Sequence, residues 1–334
     1  MVMDDKIDFV ITWVDESDPK WRKEFEYYSA KETKYINTDA CRYRDWENLR
    51  YWFRGVEKFA PWANKIYFVT YGHLPKWLNV NHPKLQIVKH EDFIPKEYLP
   101  TFSCFTIEFY LHMIKGLSDR FVYFNDDMFL IDSVSSDRFF KDGLPCDIGG
   151  LSSITTNGMF GCSVYLALDL IRENFNKKES VLRNRSKWYS LAFPRLSLHN
   201  LLEFRETKFT GFINHHQPQG YQKETYNEVW ASCREDLERT CAHRFRTWGD
   251  VAHWLIRYWQ LASGNFTPCN VFNDGKLYSI TEEIIGDIDD CIRHQKKKIV
   301  CLNDVESTLK FKEYKQTILD AFETILPDKS SYEL

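Results

Sequence analysis

No C-x-x-C pair occurs among the nine cysteines, which stand singly at 41, 104, 146, 162, 233, 241, 269, 291 and 301. That absence removes the zinc and redox-motif readings. The odd number and irregular spacing exclude a disulfide framework and leave reduced, packed thiols of a reducing compartment. No apolar run approaches the ~18 residues of a membrane span; stretches such as FVIT near residue 10 and IVCL near 300 are far shorter. The N-terminal MVMDDKID is acidic where a secretory signal is basic and then apolar, so a cytoplasmic protein is expected. There is no excess of positive charge either. With 44 Lys and Arg against 48 Asp and Glu, the formal charge is -4, which argues against a dedicated nucleic-acid binder. G-x-G-x-x-G and G-x-x-x-x-G-K-[ST] are both missing, so no glycine loop cradles phosphates. No repeat or low-complexity tract is present, which excludes a solenoid or a long disordered tail.

What the chain does have is length and aromatic bulk. Its 334 residues are 43% hydrophobic and 16% aromatic, with eleven Trp, enough for a full core. Most of those rings belong in that core; some can stack on sugars or a nucleobase.

The first 150 residues alternate short β-like runs with helical ones, the pattern of an α/β sheet layered with helices. KIDFVITWV (6–14), KIYFVTYG (65–72), LQIVKH (85–90) and FVYF (121–124) read as strands. Between them, 44–60 follows helical spacing through Leu49, Phe53, Val56 and Ala60 until Pro61, and 104–115 does so through Ile107, Leu111 and Ile114 until Gly116. The second half is more helical. TYNE (225–228) and TWGD (247–250) fit the [ST]-x-x-[DE] capping box, and each is expected to open a helix. The second of these helices carries Val251, Leu255, Tyr258 and Leu261. IVCLND (299–304) reads as a strand, and Phe311, Tyr314, Ile318, Phe322 and Ile325 mark an amphipathic helix closed by Pro327. The expected fold is a mixed or mostly parallel nucleotide-binding sheet flanked by helices, of GT-A or Rossmann-like type, with a helix-rich second half packed on it. The expected division is 1–150 for the nucleotide- and metal-binding portion and 151–334 for the portion that completes the site, all within one catalytic domain.

The chemistry concentrates at FVYFNDDMFL (121–130), where Asn125, Asp126 and Asp127 stand between apolar neighbours. Two ionised carboxylates near a core cost several kcal/mol unless a metal, a base or hydrogen bonds compensate. They sit at the carboxyl end of a strand, where open α/β sheets bind ligands, and Asp15 closes the first strand at the same edge. Such a pair can hold a divalent cation against a diphosphate, or Asn125 and Asp126 can cap a turn or helix; both readings stay open, as they do for Asn303 and Asp304. His215 and His216 lie in the polar loop FTGFINHHQPQGY (209–221), where imidazole can act as a general base or be a satisfied loop residue. HRFR (243–246) offers Arg244 and Arg246 as phosphate clamps or as a solvated face. Arg42, Arg44, Arg50 and Arg54 form another basic set that either anchors a diphosphate or pairs with Asp45 and Glu47.

Together and in this order these blocks resemble the Stealth family of sugar-phosphate transferases. IDFVITWVDESDPKW (7–21) is similar to the family's opening I-D-x-V-x-T-W-V-D-x-x-D-P-x-W. The long block from CRYRDWENLRYWFR through LPTFSCFTIEFYLHMIKGLSDRFVYFNDDMFL, the histidine and HRFR segments, and IVCLND follow in sequence. The resemblance implies transfer of a sugar 1-phosphate from a nucleotide-activated sugar (UDP-, CMP- or CDP-linked) to a hydroxyl of a polysaccharide or oligosaccharide acceptor, in capsular or exopolysaccharide synthesis. It implies Mg²⁺ or Mn²⁺ held by Asp126 and Asp127 with help from Asn303 and Asp304. Asp15 would face the nucleotide or its metal, and Arg44, Arg50, Arg244 and Arg246 the phosphates. His216, with His215 as the less favoured neighbour, would take the acceptor proton. It leaves open peripheral docking at the inner membrane face beside a capsule assembly complex. Ser103, Cys104 and Phe105 depart from the polar residues that the family often shows after LPTF, and Gln219 stands where some relatives have a second histidine. A metal-dependent GT-A-like glycosyltransferase and a non-catalytic carbohydrate-binding protein are the alternatives.

Overall fold

The computed structural model describes residues 6–33, 35–36, 43–191, 193–305 and 310–334. Cys41 and Arg42 lie outside them. The strands are β1 (Ile7–Trp13), β2 (Ile66–Thr70), β3 (Leu85–Lys89), β4 (Arg120–Phe124), β5 (Met128–Leu130), β6 (Phe140–Lys141), β7 (Leu144–Asp147), β8 (Gln219–Gln222), β9 (Thr267–Pro268), β10 (Gly275–Ile280) and β11 (Ile299–Asp304). The main sheet has the order β3-β2-β1-β4-β8. Its first four strands are parallel, with Phe9 level with Ile66 on one side and Val122 on the other, and β8 closes the edge antiparallel. A second sheet, β10-β11-β5, pairs β10 with β11 in parallel and β11 with β5 antiparallel. The short strands β6, β7 and β9 form a third.

The central strands are apolar on both faces because both are covered, as parallel sheets require. With a side-chain period of two, Phe9 and Ile11 of β1, Phe68 of β2, and Val122 and Phe124 of β4 enter one core with the helices Leu49–Phe59 and Phe311–Ile325. Val10, Tyr67, Val69, Phe121 and Tyr123 enter the other, covered by the helices Gly158–Asn174, Lys223–Ser232 and Trp254–Ser263. The fold is therefore α/β, with a mixed, mostly parallel sheet between helical layers and a helix-rich second half. No helix among the described residues is long and apolar enough to cross a membrane.

Several helix starts differ from expectation, each for a local reason. The helix expected from 44 begins at Leu49. The Asp45 carboxylate accepts from the Glu47 amide at 2.8 Å, and Glu47 turns to φ 54°, which no α-helix tolerates. The stretch 104–115 is an α-helix over Cys104–Phe109 followed by a 3₁₀ turn over Leu111–Met113. TYNE does not open its helix, which starts two residues earlier at Lys223. In TWGD, Asp250 accepts from the Thr247 amide (2.7 Å) and hydroxyl (3.2 Å), but it also meets His243 Nδ1 at 2.6 Å. The motif closes a tight loop there, and the helix starts at Trp254.

Candidate active site

All four parallel strands end at one edge, and there a cavity of about 920 Å³ opens, lined by β1's end, the turn after β4, the end of β11 and the histidine loop. The turn explains the NDD triplet. The Met128 amide donates to the Asn125 carbonyl at 3.2 Å, so the chain reverses from β4 into β5 and leaves Asp126 and Asp127 at the bend, on the cavity wall. No helix follows for them to cap.

The two carboxyls titrate in opposite directions. Asp126 opens into the cavity but is surrounded by protein on its other sides; desolvation first, then the Asp127 charge beside it, push its carboxyl up to about 7. Burial pushes Asp127 the same way, but the His216 imidazole outweighs it, with Nε2 at 3.3 Å from Oδ2, and holds Asp127 below the ordinary carboxylate range. Burial disfavours the His216 cation in turn, and Asp127 overcomes that too, so the imidazole is raised.

Asp127 Oδ1 is buried with no hydrogen-bond partner. Asp8, a fully buried carboxylate, marks the contrast. Its oxygens accept from Asn64 Nδ2 (2.6 Å), the Lys65 amide (3.1 Å) and the Ser118 amide (2.7 Å), and nothing remains for a ligand. An orphaned carboxylate oxygen beside a second carboxyl suits a hard divalent cation. The donor atoms of Asp127, His216 and Cys301 lie within 4.8 Å of one another, so these three could hold a metal ion. Burial and the Asp127 charge push the Cys301 thiol well above its usual range, which keeps it a neutral thiol and leaves the hard carboxylates as the better ligands.

Asp304, expected beside Asp126 and Asp127, lines the same cavity and is paired with an arginine. Its carboxylate faces Arg44 Nε at 3.0 Å and accepts from Arg44 Nη2 at 3.2 Å and Trp46 Nε1 at 3.0 Å. Asn303, Asp304 and Arg44 all line the cavity. His215 and His216 meet different carboxylates, Asp147 and Asp127. His215 Nε2 meets Asp147 Oδ1 at 3.2 Å, and Arg257 clamps Asp147 with two bonds of 2.8 Å. Desolvation and then the Arg257 charge push His215 down to about 4, so it stays neutral, and it too lines the cavity. Arg246 lines the cavity, 5.7 Å from the centre of the Phe105 ring. Asp15, Arg50 and Arg244 do not line it. The Asp15 carboxylate accepts from the Ser17 amide and hydroxyl (2.8 and 2.6 Å), Arg50 lies over the Trp77 ring, and Arg244 lies over Tyr28. Arg54 is a structural ion pair with Glu333 rather than a partner of Asp45 or Glu47.

Glu108 was not singled out by sequence reasoning. It lines the cavity from the helix Cys104–Phe109 and accepts from Tyr123 OH at 2.9 Å, which also bonds Thr12 Oγ1 at 3.1 Å. Desolvation pushes it up to about 7. The signal was present: a carboxylate among Phe105, Ile107 and Phe109 is as conspicuous as the aspartates after FVYF.

The fold and this cavity define an α/β protein with an acidic, imidazole-bearing cavity at the carboxyl edge of a mostly parallel sheet. Residues 5–33 match Stealth protein conserved region 1 and residues 42–146 match conserved region 2. The capsular polysaccharide phosphotransferase WcwK of Streptococcus pneumoniae is 42% identical over 98% of both chains. The receptor polysaccharide phosphotransferase WefC of Streptococcus gordonii is 39% identical over 99% of this chain and 100% of its own. The exopolysaccharide phosphotransferase cps2G of Lactiplantibacillus plantarum is 36% identical over 98% and 96%. The chain belongs to the Stealth family. Among solved structures it is similar to the galactosyltransferase LgtC, at 8% identity and a TM-score of 0.38 over 94% of this chain and 96% of that one; so distant a likeness carries no argument about chemistry.

Proposed function

We propose that this chain is a phosphotransferase of capsular or exopolysaccharide synthesis, which moves a sugar 1-phosphate from a nucleotide-activated sugar to a hydroxyl of an acceptor glycan. The acceptor oxygen attacks the phosphorus next to the sugar. The bond from that phosphorus to the bridging pyrophosphate oxygen breaks, a phosphodiester forms and nucleoside monophosphate leaves. The full-length likeness to named polysaccharide phosphotransferases supports the reaction class. The observation that carries the mechanism is the juxtaposition of Asp126, Asp127 and His216 on one cavity wall.

His216 takes the acceptor proton as the new bond forms. Arg246 and Arg44 supply positive charge along the cavity, where the phosphoryl oxygens gain charge in the transition state. Asp304 holds the Arg44 guanidinium in place, and the Asp147–Arg257 pair fixes His215 and so the loop that presents His216. Asp126 and Asp127 would hold Mg²⁺ or Mn²⁺. When bound, that ion would neutralise the diphosphate and draw electron density from phosphorus. The protein is proposed to act in the cytoplasm, docked peripherally at the inner membrane face.

Incubation with UDP-, CDP- and GDP-linked sugars, an oligosaccharide acceptor and Mg²⁺ tests the reading. Release of nucleoside monophosphate with a phosphodiester product is expected. Release of nucleoside diphosphate with a simple glycoside would assign the chain to glycosyl transfer instead.

A further inference from the structure

The helix Pro194–Glu203 wears its polar and apolar faces the wrong way round for a soluble protein. Asn200 is wholly buried, accepting from the Leu151 amide at 2.8 Å and donating to the carbonyls of Gly149 and Trp188 at 2.7 Å. Leu198, Leu201 and Leu202 are instead 62%, 56% and 55% exposed. Their i, i+3, i+4 spacing puts them on one outward stripe. Leu191, just before this helix, is 97% exposed, and Leu182, on the helix Lys177–Arg183, is also exposed.

Charge accompanies the leucines. Residues 177–208 hold eight Lys and Arg against three Asp and Glu, in a chain where acidic residues outnumber basic ones by 48 to 44. Lys177 and Lys187 turn inward to the carbonyls of Glu203 and Gly264, and Arg183 pairs with Glu179. Lys178, Arg185, Arg195, Arg205 and Lys208 are exposed. Arg195 and Arg205 fall three residues before Leu198 and three after Leu202, at the two ends of the leucine stripe.

We propose that this face docks on an anionic lipid bilayer, with the leucines entering the boundary between headgroups and acyl chains and the surrounding cations meeting lipid phosphates. Charge complementarity selects this occupant. A second copy would set two basic faces against each other, whereas an anionic membrane offers opposite charge and an apolar layer together. The face also has a route to the site. The Gly149–Leu151 segment that Asn200 grips pairs with Phe212 and Ile213, directly before Asn214, His215 and His216. Docking there holds the histidine loop's support against the membrane. The inference rests on the reading that the enzyme works beside a membrane, and not on its transfer chemistry.

Co-flotation with vesicles of mixed phosphatidylglycerol and phosphatidylcholine, against phosphatidylcholine alone, tests it. The unaltered chain is expected to float with the anionic vesicles only. The triple variant Leu198→Ser, Leu201→Ser, Leu202→Ser and the double variant Arg195→Glu, Arg205→Glu should each bind at least about tenfold more weakly. Their thermal melts and their rate with a soluble donor and acceptor should be unchanged, which separates docking from folding and from catalysis. No flotation of the unaltered chain, or equal flotation of the leucine variant, overturns the proposal. Concentration-dependent self-association that the same serines abolish also overturns it, and assigns the face to a second copy. Loss of the monophosphate product with flotation intact would sink the transfer reading alone.

Discussion

At the scale of single residues, the site is a set of carboxyls whose environments pull them apart. Asp126 shares its turn with an ionised neighbour and carries a carboxyl near 7, while Asp127 keeps its charge through His216. Asp126→Asn is expected to lower turnover by more than about a hundredfold, and to weaken Mn²⁺ binding measured calorimetrically without donor or acceptor. His216→Ala should lower kcat by about 10²–10⁴ with the donor KM little changed, because a base acts in the transition state; steady-state kinetics at saturating acceptor measure this. Glu108 predicts a pH effect on stability. Its folded carboxyl sits near 7, against an ordinary 4.5 in the unfolded chain. The folded state thus binds the extra proton between these values, and the contribution to stability present below about 4.5 is lost as pH rises to about 7, by roughly 3 kcal/mol. Thermal melts of Glu108→Gln should show a gain over the parent at pH 8 that disappears at pH 5.

At the scale of elements, the helix Leu49–Phe59 shows how closely the site's scaffold is packed. A Cβ on Gly55 would lie 2.6 Å from the Leu130 carbonyl oxygen, on the strand that leaves the Asp126–Asp127 turn. Alanine in a helix interior ordinarily gains about 1 kcal/mol over glycine. Here the contact is with backbone, which cannot rotate away, so Gly55→Ala should instead lose roughly 1–3 kcal/mol in chemical denaturation. The elements were legible where burial alone set their pattern. β1, β2, β4 and β11 were readable because a strand buried on both faces is apolar throughout. Helix starts were not, because side chains such as Asp45 and Asp250 chose turns over caps, and short strands such as β5 and β8 carry too few residues to show a period.

At the scale of the whole molecule, the C-terminal segment locks back onto the first half. Arg54, 6% exposed, meets Glu333 Oε1 at 2.8 Å and Oε2 at 3.0 Å, and donates to the Leu326 carbonyl at 2.8 Å. The Asn79 and Leu334 amides bond the Tyr332 and Trp77 carbonyls. Arg54→Ala leaves the Glu333 charge buried and unpaired, and is expected to cost about 3–5 kcal/mol, read as a lowered midpoint of unfolding. Residue order alone was enough to identify the α/β class, the strand edge that bears the aspartates and the family, since burial of alternating side chains and the chemistry of a carboxylate beside apolar neighbours are local facts. Which carboxylates meet was decided only by the folded chain. Arg44 reaches Asp304 across some 260 residues of chain and pairs with it. Asp147 claims His215, Glu108 joins a wall that no spacing relates to Asp127, and Cys301 comes within reach of Asp127 and His216 from behind it, because such contacts form between residues that packing brings together, whatever their distance along the chain.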